Sequence, residues 1–330
     1  MRSRSLGMLG FALLLGTALA LGEDRKKEDG KVEFVLKLSK GVTWQVEQTV
    51  SASQNWKAIG NGASHDEKLE TQTISVKYAD EGVEEDEGRP ALVRRTYTEV
   101  KSKIEKDTKT APAQGAVLLL KISKRSISAT VEKGDPGKEM IGVLQSMPLD
   151  PVQLLLPSKR VKEGDSWMVA GKAVQLLHAW AQAGIPPRPK AKAPRKGASK
   201  TEEALGAMDL GSIATLIENT RNDMSAKLAV SANLVSLKDG AATIEYVGRS
   251  GSDDEKNPAL AGMQIPGMPK TSIEVKATLT FHVDEGRPLD LDWKELSTLD
   301  ASAVPLPGAG PSAGGSSKEE WNLKRTWKVK

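Results

Sequence analysis

Cysteine is absent from all 330 residues. That excludes disulfides, thiolate metal sites, a cysteine nucleophile and the acylated cysteine of a lipoprotein. Histidine is scarce: His65, His178 and His282 lie far apart, and none has the His-x-x-x-His spacing of a zinc site. His282 falls on the polar phase of an alternating segment and reads as a surface residue. Among the serines there is no Gly-x-Ser-x-Gly elbow and no Ser-x-x-Lys. Gly308-Ala309-Gly310-Pro311-Ser312-Ala313 has the outline of a phosphate loop. It lacks the third glycine and sits in spacer-like sequence, so it is assigned to a spacer. No cofactor or metal is expected from these residues. A dominant charge sign is missing too, with 47 Lys and Arg against 43 Asp and Glu, interleaved nearly everywhere. Nucleic acid is therefore not an expected partner, because its readers carry a basic stripe with stacking aromatics.

What is present begins at the first residues. Arg2 and Arg4 precede an apolar run from Leu6 to Leu21, and Ala18-Leu19-Ala20 supplies a small-x-small cleavage site before Glu23-Asp24-Arg25-Lys26-Lys27. This is the pattern of a secretory signal peptide, assigned to residues 1–22. The run is shorter than the roughly 20 residues of a spanning helix, and no second run approaches that length. The expectation is a soluble chain, periplasmic or extracellular after cleavage, with no stable membrane span. Removing Arg2 and Arg4 leaves 45 bases against 43 acids, a balance of +2.

Period-two alternation dominates downstream. Val32, Phe34, Leu36 and Leu38 share a phase that Val42, Trp44, Val46, Val50, Ala52, Trp56 and Ala58 continue, with polar residues between. Ile74, Val76 and Tyr78 mark the next strand, followed by segments Ala91 to Ile104 and Val117 to Val131. In the last of these the apolar phase shifts, which predicts a bulge or bend near Lys124-Arg125. The clearest strand runs from Ile273 to Val283. A Gly-containing turn joins it to Leu289, Leu291 and Trp293. Asp86-Glu87-Gly88-Arg89-Pro90 recurs letter for letter as Asp284-Glu285-Gly286-Arg287-Pro288. This is either a trace of duplication or shared turn chemistry. Lys238-Asp239-Gly240 marks a further hairpin, between Lys227–Leu237 and Ala241–Val247.

The middle of the chain differs. Lys172 to Ile185 carries Ala173, Leu176, Leu177 and Trp180 at helical spacing. Residues 186–200 hold Pro, Lys, Arg and Ala without acid and read as an extended linker. A second helix is expected over Thr201 to Ile217, and a second linker over 301–317. Trp321, Leu323, Trp327 and Val329 then form a closing strand. The fold expected is α+β, mainly antiparallel β. Two β-meander modules, 31–165 and 221–330, form curved sheets, half-barrels or one extended sheet, with a helical insert over 166–220.

Tryptophan is the abundant aromatic, seven residues against three Tyr and three Phe. The plain reading is core filling. The functional reading is an apolar ligand pocket between sheet and helices, with Trp44, Trp56, Trp180 and Trp293 as its lining. Asp290 and Asp292 share a strand face and are the acid pair to check for hydrolysis, although solvation is the plainer reading.

Leu154-Leu155-Leu156-Pro157, then Val161-Lys162-Glu163-Gly164-Asp165-Ser166-Trp167, stand out beside the leader, the Leu36 to Gly41 strand start and the hairpins after residue 221. Together they make the chain resemble an uncharacterised family of exported bacterial proteins of unknown function. The resemblance implies an extracytoplasmic β-rich fold and transfers no catalytic residue or ligand. The functional expectation is an exported non-enzymatic binding protein of the cell envelope, with an apolar small molecule such as a lipid as partner. The alternatives are an interaction protein docking envelope proteins by strand addition, and a hydrolase using dispersed carboxylates.

Overall fold

The computed structural model describes residues 30–60, 63–104, 106–123, 126–182, 228–251, 270–300 and 314–330. The leader, the linker 186–200, the expected helix over 201–217 and residues 301–313 lie outside them. Among the described residues twelve strands form one antiparallel sheet: β1 Thr43–Gly60, β2 Ala63–Asp86, β3 Arg89–Ile104, β4 Asp107–Thr110, β5 Val117–Ile122, β6 Ile127–Lys133, β7 Ser166–Ala170, β8 Ala229–Lys238, β9 Ala241–Gly251, β10 Lys270–His282, β11 Arg287–Asp300 and β12 Gly314–Val329. The spatial order is β6-β5-β3-β2-β1-β12-β11-β10-β9-β8-β7, with β4 paired to β3. The sheet is open, and β1 against β12 joins its two sequential halves, from Trp44 opposite Val329 to Ile59 opposite Gly314. The expected β regions therefore share a single sheet.

Alternation explains the layering, because successive strand side chains point to opposite faces. Trp44, Val46 and Val50 of β1, Trp321, Leu323 and Trp327 of β12, and Leu291 and Trp293 of β11 are buried on one face, here the inner face. Their alternate neighbours Gln45, Glu47, Lys294 and Lys324 are exposed on the outer face. The inner face is covered by α1 Lys138–Gln145, a 3-10 turn Pro151–Leu154, and α2 Gly171–Ala181. Helix α2 overlaps the span expected from Ala173, Leu176, Leu177 and Trp180, starting one residue earlier at Gly171.

Four expectations need correction. Residues 166–170, assigned to a helical insert, form edge strand β7 paired to β8; five residues are too few for periodicity to register. The apolar phase shift between Ile122 and Ile127 is a chain reversal rather than a bulge. Strand β5 pairs with β6, and the hydroxyl of Ser123 donates to the carbonyl of Ser126 at 3.0 Å. Strand β2 starts at Ala63, well before Ile74, because its first half lacks clear alternation.

The fourth correction concerns Val32 to Leu38, which alternate like a strand but do not join the sheet. They form a strap across the strand ends. Gly41 N–H donates to Gly82 O at 2.8 Å, Lys37 N–H to Gly286 O at 2.8 Å, and Val32 N–H to Val161 O at 2.7 Å. The strap thus passes from β2, by the β10–β11 turn, to the segment leading into β7. Phe34, Leu36 and Leu38 are buried, and Phe34 meets Phe281 edge-on at 5.3 Å. A strap with one face against a core has the same alternation as a strand.

Candidate functional site

The mainly apolar inner face holds a buried polar cluster. Arg95 of β3 grips Asp80 of β2 with two bonds of 2.7 Å, Nε to Oδ1 and Nη2 to Oδ2, and Nη2 also donates to the carbonyl of Leu149 at 3.0 Å. Arg325 of β12 donates from Nη2 to Asp150 Oδ2 at 2.7 Å and to the Tyr78 hydroxyl. Trp327 Nε1 donates to the same Asp150 oxygen at 2.9 Å, while Asp150 Oδ1 caps the 3-10 turn by accepting Val152 N–H at 3.0 Å. The Arg325 guanidinium lies 4.1 Å from the Trp180 ring centre and 4.6 Å from that of Trp327, and Arg95 lies 4.3 Å from that of Tyr78.

Burial penalises the charge on Arg95, but Asp80 together with Tyr78 and Tyr97 outweighs it, so its pKa stands well above the usual guanidinium value. Burial also pushes the Tyr78, Tyr97 and Tyr246 phenols up, keeping them neutral. Two buried cations matched by two buried carboxylates make this cluster a bolt between sheet and covering segment. Removing either partner of such a pair costs about 3–5 kcal/mol. Alternation of apolar residues passes over both arginines. The available signal is their phase: Val93-x-Arg95-x-Tyr97 and Leu323-x-Arg325-x-Trp327 place arginine in register with buried neighbours.

A second contact set ties α2 to the sheet centre. His178 Nε2 lies 3.0 Å from Glu295 Oε2, its ring is 4.2 Å from that of Trp321, and Gln48 Nε2 donates to the Ala181 carbonyl at 3.3 Å. Of the four tryptophans singled out as pocket lining, Trp44, Trp180 and Trp293 are buried. Trp44 and Trp293 lie on neighbouring regions of the inner face, and Trp180 sits on α2 above Arg325. The side chain of Trp56 lies outside the described residues, although its backbone pairs with Ser317 on β12. Beyond the Ala52–Trp321 pair, β1 and β12 stay paired through Trp56–Ser317 to Ile59–Gly314, and Gln54 Nε2 donates to Ser317 Oγ at 3.2 Å.

The Leu154 to Trp167 segment proves architectural. The Leu155 carbonyl accepts from Trp167 Nε1 at 3.1 Å and from the Tyr246 hydroxyl at 3.4 Å. The Glu163 carboxylate accepts Leu237 N–H at 3.1 Å, and Gly164 N–H donates to Leu234 O at 2.8 Å. Asp290 and Asp292 are on the outer face, with Lys294 Nζ 3.6 Å from Asp292 and Lys324 opposite it on β12. His282 accepts Glu285 N–H at Nδ1 within its own turn. The described residues hold no cluster of three or more His, Asp or Glu suited to a metal ion. No described helix is long and apolar enough to cross a membrane.

No family model and no curated protein matches the chain. Among solved structures it is similar to a lipovitellin studied for lipid–protein interactions, at TM-score 0.37 and 7% identity. That match covers 89% of this chain and 26% of lipovitellin, so the chain spans about a quarter of its neighbour. An outer membrane channel of Pseudomonas putida F1 follows at TM-score 0.19 and 9% identity, covering 90% of this chain and 98% of the channel. The Salmonella injectisome secretin InvG reaches TM-score 0.15 and 9% identity, covering 88% of this chain and 63% of the secretin. At these scores neither fold detail nor function is transferred.

Proposed function

We propose that the chain is an exported, non-enzymatic binding protein of the cell envelope. It acts in the periplasm or outside the cell after loss of its leader, and belongs with the exported β-rich proteins it resembles. Its ligand is apolar, a lipid in the concrete case, held against the inner face of the sheet. The observation that supports this is the apolar inner face, where Trp44, Trp293, Trp321 and Trp327 lie buried on the neighbouring strands β1, β12 and β11. In this reading Trp44, Trp180 and Trp293 form the buried wall of the site, and Trp56 is its outlying residue. The two β modules, 31–165 and 221–330, provide the two sides of that face.

Native mass spectrometry of protein recovered from its own compartment tests the reading. A bound lipid mass is expected, lost after delipidation and restored on adding phospholipid vesicles, with quenching of tryptophan fluorescence. A ligand-free mass together with unchanged fluorescence overturns it. Trp56→Ala is expected to weaken rebinding at least tenfold.

A further inference from the structure

Arg325 is only partly used by the polar bolt. Its Nη2 donates to Asp150 Oδ2 and to the Tyr78 hydroxyl, while Nε and Nη1 are buried without a partner among the described residues. Gln48 lies directly across the β1–β12 seam from Arg325 and is buried too. Its Nε2 donates to the Ala181 carbonyl, which fixes the amide and leaves Oε1 buried without a partner. Trp321 and Trp293 follow along the same face, Trp293 opposite Leu323, each with an unpartnered buried indole N–H. Buried polar groups are nearly always hydrogen-bonded, because an unmet one has lost its water for nothing. Gln48, Arg325 and Trp321 share a cover, the last turn of α2, which touches them through Ala181, Trp180 and His178 respectively. Those contacts are side-chain packing and one bond to a carbonyl, with no strand ladder to break.

We propose that the polar end of the lipid is received at Arg325 and Gln48, beneath the last turn of α2, and that this end is neutral and oxygen-bearing. The glycerol ester of a monoacylglycerol has that chemistry, and a free carboxylate does not. The assignment rests on the inner face holding a lipid. Hydrogen-bond geometry selects the neutral head. A guanidinium grips a carboxylate through a fork of two nitrogens. Nη2 belongs to both forks of Arg325 and is spent on Asp150 and Tyr78, so Nε–H and Nη1–H remain as single donors. Each suits one carbonyl or hydroxyl oxygen. Charge agrees, because Arg95 and Arg325 are matched by Asp80 and Asp150, and a third buried anion would have no cation of its own. Gln48 Oε1 completes the set as the acceptor for a hydroxyl, which a simple ester lacks. Leu291 and Leu323, buried beside Arg325, offer the acyl chain apolar neighbours. Entry lifts the last turn of α2.

The test uses the full chain without its leader and three probes of one acyl length: 1-oleoylglycerol, methyl oleate and oleate. Binding is read by native mass spectrometry and tryptophan fluorescence. The expected order of affinity is 1-oleoylglycerol, methyl oleate, oleate, with about tenfold between neighbours. Gln48→Met removes the acceptor at nearly constant length. It is expected to lower 1-oleoylglycerol to the affinity of methyl oleate and to leave methyl oleate unchanged, a pattern that lost packing alone would not give. Oleate binding as tightly as 1-oleoylglycerol overturns the neutral head. A Gln48→Met variant that keeps the gap between the two esters does the same. A crystal of the 1-oleoylglycerol complex with only a water at Arg325 Nε overturns the site. In each of these cases a lipid still binds, whereas binding of none of the three probes removes the lipid reading together with its head-group site.

Discussion

Asp86 to Pro90 and Asp284 to Pro288 are the same five residues folded into two different turns. In the first, Asp86 pairs with Arg89 and a two-residue loop, Glu87-Gly88, turns the chain with φ of 48° and 75°. Positive φ at both positions is the turn whose twist suits a tight hairpin. In the second, His282 pairs with Arg287, the loop lengthens to Val283–Gly286, and within it Gly286 has positive φ, 61°. What differs is the neighbour. A side chain at Gly88 would meet nothing within 4 Å, whereas one at Gly286 would lie 2.6 Å from the Val35 carbonyl and 2.5 Å from Lys37 Cγ of the strap. Five identical residues thus do not dictate one turn; a docked segment selects which loop they form. The pentapeptide repeat carries no conformational equivalence between the two β regions.

That difference can be broken or sharpened by substitution, with effects read as unfolding free energies from chemical denaturation. The largest change is expected at Gly82, where the strap is anchored and a methyl would fall 2.2 Å from the Ser39 carbonyl. Gly82→Ala should lift the strap, expose Phe34, Leu36 and Leu38, and cost about 4 kcal/mol. Gly286→Ala combines left-handed strain with the clash against the strap and should cost about 3 kcal/mol. Gly88→Ala meets the backbone strain alone and should cost about 1 kcal/mol. If the two turn variants lose equal stability, the strap does not hold the second turn.

Smaller still is Glu87→Asn. It puts a residue tolerant of positive φ at the first loop position and should add about 0.5 kcal/mol. The matching Glu285→Asn should not stabilise, because Glu285 pairs with Arg287 and has no positive φ to relieve. Least of all is Asp290→Asn, just past the second turn. Partial burial and then Asp292 raise the Asp290 carboxyl, with Lys324 opposing. A folded pKa above the unfolded value means stability falls as pH rises between the two. Asp290→Asn should therefore raise the melting temperature slightly at neutral pH and leave it unchanged at about pH 3, below the ordinary carboxyl value. A gain that persisted at the acid end would remove the charge argument.

Legibility in the sequence follows burial. Ile273 to Phe281 alternate cleanly because one face is dry, and Lys238-Asp239-Gly240 is readable because Asp239 and Gly240 adopt φ of 50° and 75°. The strap reads as a strand because Phe34, Leu36 and Leu38 contact a core with the period of a strand while their backbone bonds run elsewhere. The polar bolt stays hidden because Arg95 and Arg325 look like interruptions of an apolar face until Asp80 and Asp150 are found beside them. Asp150 arrives from a covering segment whose position no local pattern encodes. The tryptophans are legible as inward-facing, but their grouping depends on strand order, and the β1–β12 seam joins positions more than 250 residues apart.

The seam also has a consequence in time. Strand β12, the last of the described strands to be synthesised, is not at the margin of the sheet but between β1 and β11. Strand β1 must wait for it, unpaired along one side, until the other described strands have been produced. Loop closure over such a separation is slow. A sheet whose central joint forms after its other described strands stays in two halves until then, and removing β12 would divide it rather than trim it.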